Sequence, residues 1–336
     1  MKKTIVFLLM AVFLTSCFKD DEIVPPHDSG DVNTVIIPMT QYYVYQLYFN
    51  LENNEIVESN EREMFDLNFG CHDSSSVIRL NTANFALIAE TAFENFEDVT
   101  DTVGLEWKFD KSDGNPDSLA ISNWISIQDA DTSYSNKVWV LNRGLSALGI
   151  QLGLMKLKFT QIKNGSYYFA FCDMDNSNMH EVVLPKDDRY GLMQYSLSNG
   201  GEVVQTEPFV NTWDLLFTQY TTLLFTAEGL AYPYIVNGVL QSPGSSIAVD
   251  SAMDFNEIIL SDTSRLDFST NYDAIGYDWK SIEGDVQTGD YVYVAHIEWN
   301  YIIKDNKSLF YKLRFVSFYD PLTGEKGYPT FEYQPL

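Results

Sequence analysis

The 336-residue chain is short of three things: cysteine, histidine and positive charge. Its three cysteines and four histidines form no cluster, which argues against a zinc site. Against 21 Lys and Arg stand 47 Asp and Glu, a formal net charge of -26. Phosphates would be repelled over most of such a surface, so nucleic acid and anionic lipid are not expected as binding partners. Gly-x-Ser-x-Gly, His-Glu-x-x-His and phosphate-loop patterns are absent, and paired carboxylates are too common in an acidic chain to signal a glycosidase. A non-enzyme is expected. The apolar run 5–14 has about half of the roughly 20 residues that a membrane span needs, which excludes a spanning helix there.

That run does fit a leader. Lys2 and Lys3 precede it, and Leu14-Thr15-Ser16-Cys17 follows, the order of a signal peptide over residues 1–16. The Leu-Thr-Ser-Cys box resembles the lipobox of bacterial lipoproteins, which implies a diacylglycerol on Cys17 as the mature N-terminus. Two or three acyl chains would hold it in outer-membrane lipid, at about 0.8 kcal/mol per buried methylene. Phe18-Lys19-Asp20-Asp21-Glu22 resembles the acidic export signal of Bacteroidetes lipoproteins, which implies the cell-surface face of the outer membrane, with the periplasmic face as the alternative. Loss of Lys2 and Lys3 leaves 19 basic residues against 47 acidic ones, a net charge of -28. Residues 17–31, with Pro25-Pro26 and Ser29-Gly30, read as a lipidated flexible tether.

The body is a folded one. Hydrophobic residues make up 45% and aromatics 15%, with 22 Phe and 21 Tyr, which excludes disorder. Its segments are short, rich in β-branched and aromatic residues, and punctuated by Gly, Asn and Asp, so the expected class is all-β and antiparallel. The clearest strands are 44–51, 65–69, 137–141, 154–162 and 167–171, then 213–217, 221–225, 291–303 and 309–318. In 311–315 apolar and basic residues alternate, predicting one face in a core and one in water. Few helices are expected, and short ones, at 84–96 and 250–258. The halves repeat one another. Phe65-Asp66-Leu67-Asn68-Phe69 answers Trp213-Asp214-Leu215-Leu216-Phe217, and Leu154-Met155-Lys156-Leu157-Lys158-Phe159 answers Phe310-Tyr311-Lys312-Leu313-Arg314-Phe315. Two tandem β units, 32–188 and 189–336, are therefore expected. Cys71 and Cys172 remain as a possible disulfide, with two separate buried thiols as the alternative.

Three segments carry a resemblance. Trp213-Asp214-Leu215, the stretch Ile275-Gly276-Tyr277-Asp278-Trp279-Lys280, and above all 310–319 with Thr323-Gly324-Glu325-Lys326-Gly327-Tyr328 resemble the HmuY family, haem-binding lipoproteins of Bacteroidetes. The resemblance is strongest over 190–336. It implies a duplicated HmuY-like β unit and capture of haem or a related porphyrin between two axial His or Met side chains. Delivery to a TonB-dependent outer-membrane transporter is implied with it. A surface lipoprotein that binds carbohydrate or protein on the same fold is the alternative.

No axial pair matches the family pattern by position. Among the histidines His27 lies in the tether, His72 beside a strand, His180 in an acidic loop and His296 within the expected strand 291–303. The loop holding Met174, Met179 and His180 gathers two thioethers and an imidazole. With His296 these are the candidate haem ligands, each with an ordinary surface or strand role as the alternative. Asp173, Asp175, Ser177 and Glu181, like Asp110, Ser112, Asp113 and Asp117, alternate oxygens, but neither set fits the twelve-residue calcium loop, and acidic turns are common in acidic proteins. No resident metal is expected.

Overall fold

The computed structural model describes residues 30–336 apart from Asp129 and Ala130, so the expected leader, Cys17, His27 and nearly all of the tether lie outside the described residues. Strands β1 (Asn33–Ile36), β2 (Tyr45–Asn50) and β3 (Glu55–Glu61) come first, then β4 (Leu67–Gly70), β5 (Ile78–Leu80) and β6 (Leu87–Glu90). A small hairpin of β7 (Ile125–Gln128) and β8 (Asp131–Tyr134) precedes β9 (Trp139–Asn142), β10 (Leu154–Lys163), β11 (Ser166–Asp173) and β12 (His180–Pro185). The second half runs β13 (Leu192–Ser196), β14 (Glu202–Val203), β15 (Leu215–Phe225), β16 (Ala231–Gln241) and β17 (Ser246–Asp250). It ends with the hairpin β18 (Lys280–Asp285) and β19 (Asp290–Ala295), then β20 (Asn300–Lys304), β21 (Phe310–Tyr319) and β22 (Lys326–Pro335).

Apart from the two small hairpins, β7–β8 and β18–β19, four antiparallel sheets pair these strands into two lobes. In the N-terminal lobe, β12-β11-β10-β9-β6 faces β14-β13-β4-β5 across a core that includes Phe69, Trp124, Trp139, Phe159 and Phe169. In the C-terminal lobe, β1-β22-β21-β20-β17 faces β16-β15-β2-β3 across Phe49, Phe217, Trp279, Phe315 and Phe331. Such sandwiches bury one face of each strand, and β21 shows it: Leu313 and Phe315 are fully buried, while Arg314 pairs with Glu332 on the next strand at 2.7 Å.

Strand order is the same in both lobes, but the halves of the sequence exchange their opening strands. β2, with β3 beyond it, pairs with β15 of the second half, and β13, with β14 beyond it, pairs with β4 of the first. At each exchange an aspartate ties the lent strand down. The Asp66 N–H donates to Tyr195 O and its carboxylate accepts from Leu197 N, while the Asp214 N–H donates to Phe49 O and its carboxylate accepts from Leu51 N. β1 likewise pairs with β22 at the far end of the chain. Strand pairing therefore joins residues 65–203 into one lobe and 33–61 with 213–336 into the other, a division that does not follow the expected boundary at 188/189.

Several local expectations change. Residues 84–96 are not a helix: a 3-10 turn, Thr82–Asn84, ends where Phe85 takes φ 60°, and β6 follows, paired with β9. In 250–258 only the turn Phe255–Glu257 is helical. The expected strand 291–303 is broken by a turn in which the Trp299 N–H donates to His296 O. Lys312 is 4% exposed and does not face water, because the segment 255–258 covers it: its Nζ donates to Ile258 O and lies 4.9 Å from the Phe255 ring centre. Lys156 is buried in the same way, donating to Phe96 O and Val99 O. Cys71 and Cys172 are both free and buried, so they form no disulfide. Cys71 follows β4 with its thiol against Phe69 O, whereas Cys172 sits in a separate cluster with Phe96, Val99 and Val138.

Candidate functional site

Size and aromatic lining single out one cleft. It lies in the C-terminal lobe under the β18–β19 hairpin, with a volume of about 790 Å³, within the roughly 300–1,000 Å³ range of small-molecule sites. Its walls are aromatic: Tyr43, Tyr234, Tyr277, Tyr291, Tyr293 and Phe318 line it. The Phe318 ring stacks on Tyr43 at 6.1 Å and meets Tyr293 edge-on at 5.0 Å. Tyr43 comes from the lent N-terminal segment, held by its turn bond to Thr40 O. That turn lies hard against β22, where a Cβ on Gly327 (φ 96°) would run into Thr40 O, so only glycine lets Tyr43 reach the cleft.

Charge in the cleft is sparse and mixed. Trp279 is fully buried, stacked on Phe315 at 4.1 Å, and fixes the start of β18. The next residue, Lys280, bends its ammonium over the Trp279 and Phe318 rings at 4.2 and 4.8 Å and donates to Asn237 O at 2.7 Å. Desolvation pulls its pKa down to about 7 against the opposing pull of the Asp278 carboxylate. Lys326 lies on the other side, its Nζ donating to Tyr291 Oη at 3.2 Å. Burial pushes Tyr43 and Tyr293 up, so both phenols stay neutral. His296 also lines the cleft, stacked on Trp299 at 4.8 Å, with Nδ1 3.6 Å from Glu298 Oε1.

The other expected ligands lie elsewhere. His180 begins β12 and stacks on Phe171 at 5.1 Å in a polar cleft of about 620 Å³ in the N-terminal lobe, which Arg143 and Asn178 also line. Met174 packs on the small cluster around Phe96 and Val99, and Met179 is 46% exposed. The loop thus sends its thioethers and imidazole to three surroundings. His72 is exposed and bonded to Ser74 Oγ. The acidic turn closes on itself, with Ser177 and Asn178 donating to Asp173 and Asp175, and Asp110 turns inward to accept from the N–H groups of Leu80 and Ala120. Among the described residues no group of three His, Cys, Asp or Glu is placed to hold a metal ion.

A second cavity, between the lobes, is lined by Gln46, Arg79, Gln194, Glu207, Trp213 and Tyr272 among others, and at about 120 Å³ is too small for a drug-sized ligand. Burial lifts Glu207 there to about 8, although its carboxylate accepts from the N–H groups of Gly191 and Leu192. Neither the tyrosine cleft nor the placement of Lys280 in its wall is signalled by local pattern. A tyrosine-rich composition is visible, but the strands that converge on the cleft are far apart in the chain.

No curated protein matches the sequence. Among solved structures, an apo HmuY analog from Tannerella forsythia is 11% identical, with 92% of this chain and 98% of that one covered and a TM-score of 0.25. A Bacteroides vulgatus protein described as HmuY-like and heme binding is 10% identical, with 90% of each chain covered and a TM-score of 0.23. A Bacteroides fragilis protein described as a lipoprotein is 14% identical, with 42% and 75% covered and a TM-score of 0.22. Likenesses this distant carry no argument about the site. The HmuY protein family pattern matches residues 42–333, most of the chain and both lobes, and the protein belongs to that family.

Proposed function

We propose that this protein is a lipid-anchored surface protein that captures haem or a related porphyrin in the C-terminal cleft and passes it to an outer-membrane transporter. The observation that carries the reading is the cleft itself: a volume of about 790 Å³, tyrosine walls for the faces of a flat macrocycle, and His296 among the lining residues. His296 is the proposed iron ligand. Met174, Met179 and His180 belong to the other lobe and take no part. Family membership supports the ligand class, and the Leu14-Thr15-Ser16-Cys17 box supports the anchor.

Titrating the purified protein with haem tests this. A Soret band should develop, and His296→Ala should shift it and weaken binding more than tenfold, about 1.4 kcal/mol. Met174→Ala, Met179→Ala and His180→Ala should bind as the wild type does. A wild type that gives no Soret change overturns the porphyrin reading. Carbohydrate is the second reading, favoured by Gln219, Asn237 and Asp278, which put hydrogen-bonding groups beside the same aromatic faces.

A further inference from the structure

The two lobes are built alike, so a position where they differ inside a cavity is informative. Each starts its small hairpin with a buried tryptophan, Trp124 before β7 and Trp279 before β18. In the N-terminal lobe the next residue is Ile125, packed on the core, and the hairpin is pinned there: Tyr134 Oη donates to Ile162 O and accepts from Ile162 N. In the C-terminal lobe the next residue is Lys280, and the hairpin borders the cleft. Putting an ammonium where the repeat holds an isoleucine costs solvation, which its bonds to Asn237 O and Tyr277 O only partly replace.

Lys326 brings a second ammonium to the same cleft, in a chain where acidic residues outnumber basic ones by 47 to 21. Facing both are Tyr43 from the N-terminal segment, Tyr234 on β16, Tyr277 and Asp278 just before β18, Tyr291 and Tyr293 on β19, and His296. Asp278 is the carboxylate in this set, so an entering anion meets two cations and one fixed negative charge. Flat aromatic walls with cations beside them fit a flat ligand that carries carboxylates.

We propose that Lys280, with Lys326, selects ligands by their carboxylate groups, so that the cleft takes the acid form of a flat aromatic molecule and rejects its neutral ester. This rests on the reading of the cleft as the ligand site, but not on iron ligation. A carboxylate that reaches Lys280 favours its charged form. The amine, held near 7 in the free protein, then takes up a proton on binding, and affinity falls as pH rises above 7.

The test uses the whole protein and metal-free probes, followed by quenching of protein fluorescence: protoporphyrin IX against its dimethyl ester, and 1-pyrenebutyrate against 1-pyrenebutanol. The wild type should bind each acid at least tenfold more tightly than its neutral partner at pH 6.5, with the margin narrowing by pH 9. Lys280→Met should remove most of the preference and Lys280→Arg should keep it, each read as the ratio of acid to ester affinity within the one variant. Equal binding of acid and ester by the wild type overturns the proposal and leaves porphyrin capture standing. Failure of both metal-free porphyrins, with a Lys280-dependent preference for pyrenebutyrate, leaves the carboxylate proposal standing, and haem capture is then decided by the Soret titration alone. If none of the four probes binds, the carboxylate proposal falls.

Discussion

The two lobes share a strand order and differ in how the chain supplies it. The N-terminal lobe is drawn from one continuous stretch, 65–203, whereas the C-terminal lobe needs 33–61 as well as 213–336. Each four-stranded sheet joins strands from both halves of the sequence, so duplication here did not yield two independent beads on a string. The lobe that depends on the distant N-terminal segment is also the one with the larger, tyrosine-walled cleft, and Tyr43 of that segment forms part of its wall. The self-contained lobe keeps a filled hairpin and a buried ion pair. Site and long-range assembly thus fall on the same side of the molecule.

Cutting the chain breaks the comparison most severely. A fragment of residues 64–208 holds every strand of its lobe and should unfold cooperatively in urea. The fragment 189–336 lacks β1 to β3, and with them Ile37, Met39, Leu47, Phe49 and Leu51, each at most 1% exposed. Five such side chains are worth about 10 kcal/mol of burial, comparable to the whole stability of a domain, ~5–15 kcal/mol. That fragment should melt without a sharp transition until a peptide of residues 32–63 is added. A cooperative transition for 189–336 alone would show the exchange to be dispensable.

The paired aspartates give the next largest contrast. Asp66 is bound to Arg143 at 2.7 Å in a buried setting, whereas the carboxylate of Asp214 accepts the Leu51 N–H and burial lifts it to about 6. Asp66→Asn removes the countercharge from the buried Arg143 and should cost about 3–5 kcal/mol. Asp214→Asn keeps an acceptor for Leu51 and removes a poorly solvated charge, so it should gain about 1–2 kcal/mol at pH 7.5. The sign of the pH effect follows from the raised value. Folded Asp214 holds its proton above the usual range of about 3.9, so its contribution to stability falls as pH rises from about 4 to about 6. Urea midpoints of wild type and Asp214→Asn across that window should converge at the acid end; a constant gap would sink the assignment.

Glu207 sits between the lobes and sharpens the picture from the cavity side. With its folded value near 8 against about 4.5 unfolded, the native state carries an extra proton, and stability should decline between pH 4.5 and 8. Glu207→Gln keeps an oxygen for Gly191 and Leu192 without the charge. It should gain roughly 3 kcal/mol over the wild type at pH 8.5 and almost nothing at pH 4.5, read as the shift in urea midpoint at each pH.

Much of this arrangement is legible in the sequence. The all-β class, the repeat of Asp66 in Asp214 and of Lys156 in Lys312, and the family resemblance all follow from local pattern. Strand exchange does not, because a repeat shows which segments are equivalent and not which copy each pairs with. Alternation misplaces the buried lysines for a related reason: it predicts two faces, but only tertiary structure shows that a 3-10 turn covers the second one. Residues 291–303 read as one strand through His296 because the segment is largely apolar and aromatic, and the turn at 296–299 carries no glycine or proline to announce itself. The cleft is illegible because its walls come from Tyr43, Tyr234, Tyr291 and Phe318, spread across the chain.

The smallest expected contrast lies between those two lysines. Lys156 donates to Phe96 O at 2.8 Å, to Val99 O at 3.2 Å and to the Asn176 side chain, and it is fully buried. Lys312 has one such bond, to Ile258 O at 3.1 Å, and desolvation lowers its pKa. Methionine keeps the length of either stem. In Lys156→Met three acceptors lose their donor, a loss of about 2 kcal/mol. Lys312→Met leaves one acceptor unpaired but also removes a poorly solvated charge, so the two effects nearly cancel, within about 0.5 kcal/mol. Because the folded Lys312 amine releases its proton more readily than the unfolded one, wild-type stability should rise relative to Lys312→Met as pH approaches 10. Urea midpoints at pH 7.5 and 9.5 measure both differences. Equal losses for the two variants would mean that the covering turns, 96–99 and 255–258, support their lobes equally, and that the lobes differ only in the strands they borrow.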